Sequence, residues 1–173
     1  MQVWSRTRIL ASMQRVGVVL ILILAFSGVA DSAYLAESEA SGTPLVCGVN
    51  ALLDCNKVVT SPYSSFFGVS TAQYGVLFYG IMFVLAALEL VIFAEFLRRT
   101  LMWVSFLGVA ASLYLALVQV FVIDALCIYC LASTAIAFSI FVLATLIHVK
   151  LKSVPHKPAP LPRRPFSMPP AVH

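Results

Sequence analysis

Four apolar stretches divide this chain, over about residues 11–34, 72–94, 101–123 and 126–149. Each is near the roughly 20 residues an α-helix needs to cross the hydrocarbon core of a bilayer. In lipid every backbone N–H and C=O must find its partner within the segment or within a closed barrel, and long apolar runs do so as helices. Composition agrees, with 61% of residues hydrophobic and 10% charged, outside the range of water-soluble domains. The reading is all-α: an integral membrane bundle of four transmembrane helices, with residues 1–150 as one domain. Gly75, Gly80 and Gly108, with several alanines and serines, offer the close contacts that hold helices together in lipid.

Charge sets the expected orientation. Arg6, Arg8 and Arg15 precede the first stretch, Arg98 and Arg99 lie between the second and third, and five basic residues follow the fourth. Lys57 alone lies in the other connections, so ten of the eleven lysines and arginines fall on one side. The positive-inside rule then puts both termini in the cytoplasm. The first span reaches full length if Arg15 snorkels to the headgroups. Its competitor is a cleaved signal peptide ending at Ser27-Gly28-Val29-Ala30. Residues 151–173 are proline-rich and basic, and predict a disordered cytoplasmic tail.

Residues 35–71 read as a polar connection. Within it Val49, Leu52, Leu53, Val58 and Val59 recur near helical spacing, which predicts a short amphipathic segment lying on the membrane face and broken at Pro62. Glu89 falls inside the second span. A carboxylate in lipid is a functional candidate by default, but the plainer reading has it reach the interface near Arg98 and Arg99.

The chemistry lies in the cysteines. Cys127-Ile128-Tyr129-Cys130 opens the fourth span, and cysteines three apart on a helix sit one turn above each other. Asp124 stands where an N-cap belongs and is expected to accept the amide of Cys127. A thiol in the first turn feels the positive end of the helix dipole, which favours its thiolate. Cys47 and Cys55 lie in the connection on the same side, opposite the basic termini, where disulfides persist. One mobile pair and one fixed pair suggest a relay by thiol–disulfide exchange. The electrons must then leave, and the chain shows no Rossmann fingerprint and no histidine pair for a haem. A lipid-soluble acceptor such as a quinone remains. Zinc fits Cys127/Cys130 but not the seven-residue gap between Cys47 and Cys55, so no metal site is expected. The rival from another class is a non-enzymatic tetraspan scaffold whose cysteines only brace the loop.

The combination of Cys47-x7-Cys55, Val58-Val59-Thr60-Ser61-Pro62-Tyr63, Phe67-Gly68, Gly75, Tyr79 and Cys127-x-x-Cys130 resembles the vitamin K epoxide reductase family over about residues 15–150. DsbB-type proteins also have four spans and two cysteine pairs, but their C-x-x-C precedes the second span. The resemblance implies a four-helix bundle that holds a quinone near its outer face beneath an extracytoplasmic capping loop. It implies that Cys130 lies beside the quinone ring, that Cys127 bonds transiently to Cys55, and that Cys47 exchanges with the partner. Ser61 matches a loop hydroxyl of the family, and Tyr63, Phe67, Tyr74 and Phe78 match the pocket by position; each aromatic could equally be packing or an interfacial belt residue. Thr134, one turn below Cys130, could donate to a quinone oxygen or return its hydroxyl to its own helix. Thr71 stands near the place where mammalian members carry an asparagine, which favours plain quinone reduction over epoxide reduction. The tail is too short for a fused thioredoxin-like domain. The implied partner is thus a separate exported thioredoxin-fold, DsbA-like protein, and the implied acceptor is ubiquinone or menaquinone. The expected function is a quinone-dependent thiol oxidoreductase that generates disulfides.

Overall fold

The computed structural model describes residues 2–45, 47–50, 53–92 and 94–152. Four long helices dominate it: α1 (Gln2–Ser41), α3 (Thr71–Ile92), α4 (Glu95–Val118) and α5 (Ile128–Lys152). The stretches long and apolar enough to cross a membrane are Gln14–Ser41, Thr71–Ile92, Glu95–Ile123 and Ile128–Lys150. The all-α four-span bundle expected from hydropathy is therefore present. The predicted tail falls almost wholly on residues 153–173, outside the described ones.

Helix α1 packs on α3 and α5, and α4 packs on α5 and more lightly on α3. The buried seam shows helical spacing: Val18, Ile21 and Ala25 on α1, Tyr79, Met82 and Ala86 on α3, Ile140 and Ala144 on α5, joined by Leu101 of α4. Small residues let the backbones approach. A Cβ at Gly28 would strike the Tyr79 ring, one at Gly75 would meet the Ser32 hydroxyl 2.6 Å away, and one at Gly108 would overlap the Phe78 ring. Gly80, expected to serve the same purpose, faces open space. Phe26, Val84, Val91, Phe96, Leu107 and Phe121 are exposed on the outside of the bundle, an apolar surface suited to lipid.

Helix α1 runs further than its apolar core. Ala33, Leu35, Ala36, Glu37, Glu39 and Ala40 include the best helix formers, and they carry the helix seven residues past Tyr34. It stops where Gly42 adopts φ +65°, with Pro44 beyond.

Between α1 and α3 lies a small cap. Strands β1 (Gly48–Asn50) and β2 (Leu53–Asp54) pair antiparallel, followed by the short helix α2 (Cys55–Val59). A 3₁₀ turn (Pro62–Ser64) leads to a second hairpin, β3 (Ser65–Phe66) and β4 (Val69–Ser70), whose turn residues Phe67 and Gly68 both have positive φ. The single amphipathic segment expected here is thus a hairpin plus a short helix. The reason is local: Asp54 Oδ1 accepts Lys57 N–H at 3.0 Å and caps α2 there, so Val49 and Leu53 fall in strands and only Val58 and Val59 in helix. Leu52 lies outside the described residues.

Candidate functional site

The cap places its cysteines first. Cys47 and Cys55 form a disulfide with Cα atoms 5.7 Å apart. Asn56, next to Cys55, accepts the N–H of Leu45 at 2.9 Å and donates to its carbonyl at 3.3 Å, which ties the approach to Cys47 onto α2. Leu53 forms a lone parallel bridge with Leu126, and Lys57 Nζ donates to the Asp124 carbonyl at 3.4 Å. The cap is thereby fastened to the residues just before Cys127. One buried cluster results, containing Leu35, Leu45, Cys47, Cys55, Val58, Ala125 and Cys127, with Tyr129 and Cys130 packed at its edge. Cys55 and Cys127 are each 0% exposed.

The second pair is set by how the chain leaves α4. The helix ends in a wide π-type turn over Gln119–Ile123, and Asp124 then adopts a left-handed conformation, φ 51°. Helix α5 therefore starts only at Ile128, and Cys127 itself takes the N-cap place, its carbonyl accepting Leu131 N–H at 3.0 Å. The expected cap by Asp124 is not formed, because the wide turn puts that residue out of register. Gln119 substitutes for it: its Oε1 accepts the Cys127 N–H at 3.1 Å. The same side chain lines one cavity with Cys130.

Cys127 and Cys130 are free thiols. The Cys130 thiol donates to Cys127 and, with the backbone N–H groups of Cys130 and Tyr129, lowers Cys127 from the usual thiol value to about 7. Burial opposes the shift and does not cancel it. At neutral pH a large share of Cys127 is thus thiolate, the form that attacks disulfides.

Beside Cys130 lies a cavity of about 100 Å³ between the cap, the end of α4 and the first turns of α5. Ser61, Tyr63 and Thr134 line it together with Cys130, and so does Thr71. Thr134 Oγ1 donates to the Cys130 carbonyl at 2.8 Å, and Ser61 Oγ donates to the Val58 carbonyl at 2.7 Å. Their protons are committed to backbone, and their oxygens remain as acceptors. The other three aromatics singled out from sequence lie elsewhere. Phe67 is 89% exposed at the hairpin tip, Tyr74 Oη donates to the Phe66 carbonyl at 3.2 Å, and Phe78 packs edge-on to Tyr79.

Sequence reasoning passed over Gln119, Glu39 and Ser133, which also line the cavity. Ser133 stands one turn after Cys130, a spacing that could have found it; its carbonyl accepts Tyr79 Oη at 2.7 Å. Glu39 lies on the unforeseen extension of α1 and accepts from the Ser70 hydroxyl. Among the described residues no group of three histidine, cysteine, aspartate or glutamate side chains could hold a metal ion.

A quinone head group suits these surroundings in chemistry and nearly in size. At about 100 Å³ the cavity is somewhat smaller than the roughly 150 Å³ that accepts a benzene ring. The walls combine apolar Leu115, Val118 and Ile123 with the polar groups of Gln119, Thr134 and Ser133.

The model of the vitamin K epoxide reductase family matches residues 19–145, a stretch that holds the cap, both cysteine pairs and most of every span. The chain belongs to that family, whose members are quinone-linked thiol oxidoreductases that sit in membranes on several spans.

Proposed function

We propose that this protein generates disulfides, passing electron pairs from an exported thioredoxin-fold, DsbA-like dithiol protein to a membrane quinone. One observation carries the reading: Cys55 and Cys127 share a buried cluster while Cys130 lines the adjoining cavity. Two thiol pairs and an acceptor site lie in sequence along one path.

Each step balances. A partner dithiol attacks the Cys47–Cys55 disulfide at Cys47; the partner leaves oxidised and the cap pair is left as two thiols. Cys55 then attacks Cys127 of a Cys127–Cys130 disulfide, and Cys47 closes the cap disulfide again. The electrons now rest on Cys127 and Cys130. The pairing seen in the structure, cap closed and helix pair open, matches this stage. A bound quinone supplies an acceptor for two electrons and two protons. Cys130 faces the cavity; it gives up one proton and Cys127 the other, directly or by way of solvent, and the pair closes as a disulfide. Gln119 holds Cys127 in place during the change through its backbone N–H.

Thr71 lines the cavity and stands near the place where mammalian members carry an asparagine, which supports quinone rather than epoxide as the oxidant. Arg15, Arg98, Arg99 and Lys150 lie on the helix ends away from the cap, which supports an extracytoplasmic cap and cytoplasmic termini.

The test is reconstitution with ubiquinone or menaquinone and a reduced thioredoxin-fold protein, followed at the quinone absorbance. The proposal expects quinone loss matched mole for mole by partner disulfide. A non-enzymatic scaffold gives neither.

A further inference from the structure

The relay leaves one buried carboxyl unexplained. Asp31 lies inside the first span, and its Oδ2 is buried without a hydrogen-bond partner. An ionisable group at this depth is costly, and where it persists it commonly serves function.

Its neighbours on α1 define what it faces. One turn before it, Gly28 lies against the Tyr79 ring of α3. One turn after it, the Tyr34 ring packs on Tyr129 of α5 with centroids 5.3 Å apart. Four residues on, Leu35 joins the buried cluster of Cys55 and Cys127. Asp31 thus belongs to the α1 face that looks toward the thiols. Asp31 is thereby near enough to the start of α5 for its charge to reach Cys127.

Among the described residues the groups around Cys127 come from each element packed near it, and on α1 they include Glu39, which lines the cavity beside Cys130 and accepts from the Ser70 hydroxyl. Helix α5 supplies the Cys130 thiol and Tyr129; the turn after α4 supplies the neutral Gln119. The cap supplies a disulfide that does not titrate, and Lys57, whose ammonium is held on the Asp124 carbonyl. Asp31 supplies negative charge from α1, and a carboxylate near a thiol resists the second negative charge of a thiolate.

We propose that Asp31 is a positioning residue for the thiol pair: its buried, unpartnered carboxyl on the α1 face turned toward α5 opposes negative charge on Cys127, and so moderates the rate at which the helix pair exchanges with the cap. The second clause rests on the relay proposed above; the first does not.

The test is residue-resolved alkylation of the full-length protein in detergent micelles. Iodoacetamide labelling of Cys127 is followed by mass spectrometry from pH 5 to 9, with the cap disulfide intact. Asp31→Asn removes the charge at nearly constant shape and is expected to move the midpoint down by roughly half a pH unit or more. Asp31→Glu should restore the wild-type midpoint. An unchanged midpoint in Asp31→Asn overturns the proposal, and so does a change in rate at every pH without a change in midpoint, which marks a packing role only.

A wild-type measurement covers the case in which the variants do not fold. Infrared difference spectra of protein carrying isotope-labelled aspartate, taken between the open and closed Cys127–Cys130 pair, should show a carboxyl band that shifts with the redox state. No shift overturns the proposal. Neither readout uses a quinone, so failure of the relay would be seen separately, as lost quinone turnover with the alkylation profile intact.

Discussion

Gln119 Oε1 accepts the backbone N–H of Cys127 at 3.1 Å, across a buried gap of eight residues. The side chain of one helix end thereby caps the start of the next, at the residue where the proposed chemistry begins.

Removing that acceptor should matter. Gln119→Leu leaves a buried N–H unpaired, at a cost of about 1–3 kcal/mol. We expect a lower unfolding temperature in detergent and a several-fold slower quinone reduction, while Gln119→Glu, which keeps an acceptor, retains more of both. A thermal melt and a steady-state assay on the two variants check this.

A second prediction concerns the far end of the bundle. Glu89 is 1% exposed, pairs with Arg98 at 3.1 Å and accepts from Gln14 Nε2 at 3.0 Å, which ties α1, α3 and α4 together. The carboxylate does not simply reach the interface; it is buried and paired. Arg98→Ala leaves a buried charge unmatched, with an expected loss of about 3 kcal/mol. Arg99→Ala should cost much less. Turnover per folded molecule should be unchanged in both, since the pair lies at the end remote from the cysteines, and comparing melts with specific activity tests that.

The pH dependence follows from Cys127, lowered to about 7 chiefly by the hydrogen bond from Cys130. A lowered thiol pKa means the reactive thiolate is present above that value and lost as pH falls through it. Exchange between the helix pair and the cap should rise across pH 6–8 and then level off. In Cys130→Ala combined with Cys47→Ala and Cys55→Ala the donor is gone and no cap sulfur can capture Cys127, so its alkylation midpoint should move up toward an ordinary thiol. Stopped-flow exchange and alkylation against pH provide the check.

Much of this molecule could be read from residue order. The four spans are a matter of local hydropathy, which needs no tertiary knowledge, and the spacing of Cys127 and Cys130 alone puts them on one face. The cap resisted the same treatment because its hairpins are two and three residues long and depend on distant partners, such as Leu126 for Leu53. Asp124 was expected to cap Cys127 because a regular helix start was assumed; the wide turn at 119–123 adds backbone that no periodicity signals. Thr134 shows the value of the plainer alternative, since its hydroxyl returns to its own helix. Phe67, Tyr74 and Phe78 share composition with Tyr63 but not its location, and aromatic residue type does not distinguish a cavity wall from a hairpin tip.

Cys47→Ala separates the two functions of the cap. It removes the sulfur proposed to meet the partner and leaves Cys55 next to the helix pair. Turnover with the thioredoxin-fold partner should fall below detection, while reduction of quinone by a small dithiol continues in part. Equal loss with both reductants would show that Cys47 serves only to hold the cap.

The most direct measurement is a disulfide map of Cys130→Ala. Without the resolving thiol, Cys127 should attack the cap and stay there, so non-reducing digestion and mass spectrometry should yield a peptide joining Cys55 to Cys127 with Cys47 free. An intact Cys47–Cys55 link beside an unmodified Cys127 would contradict the account.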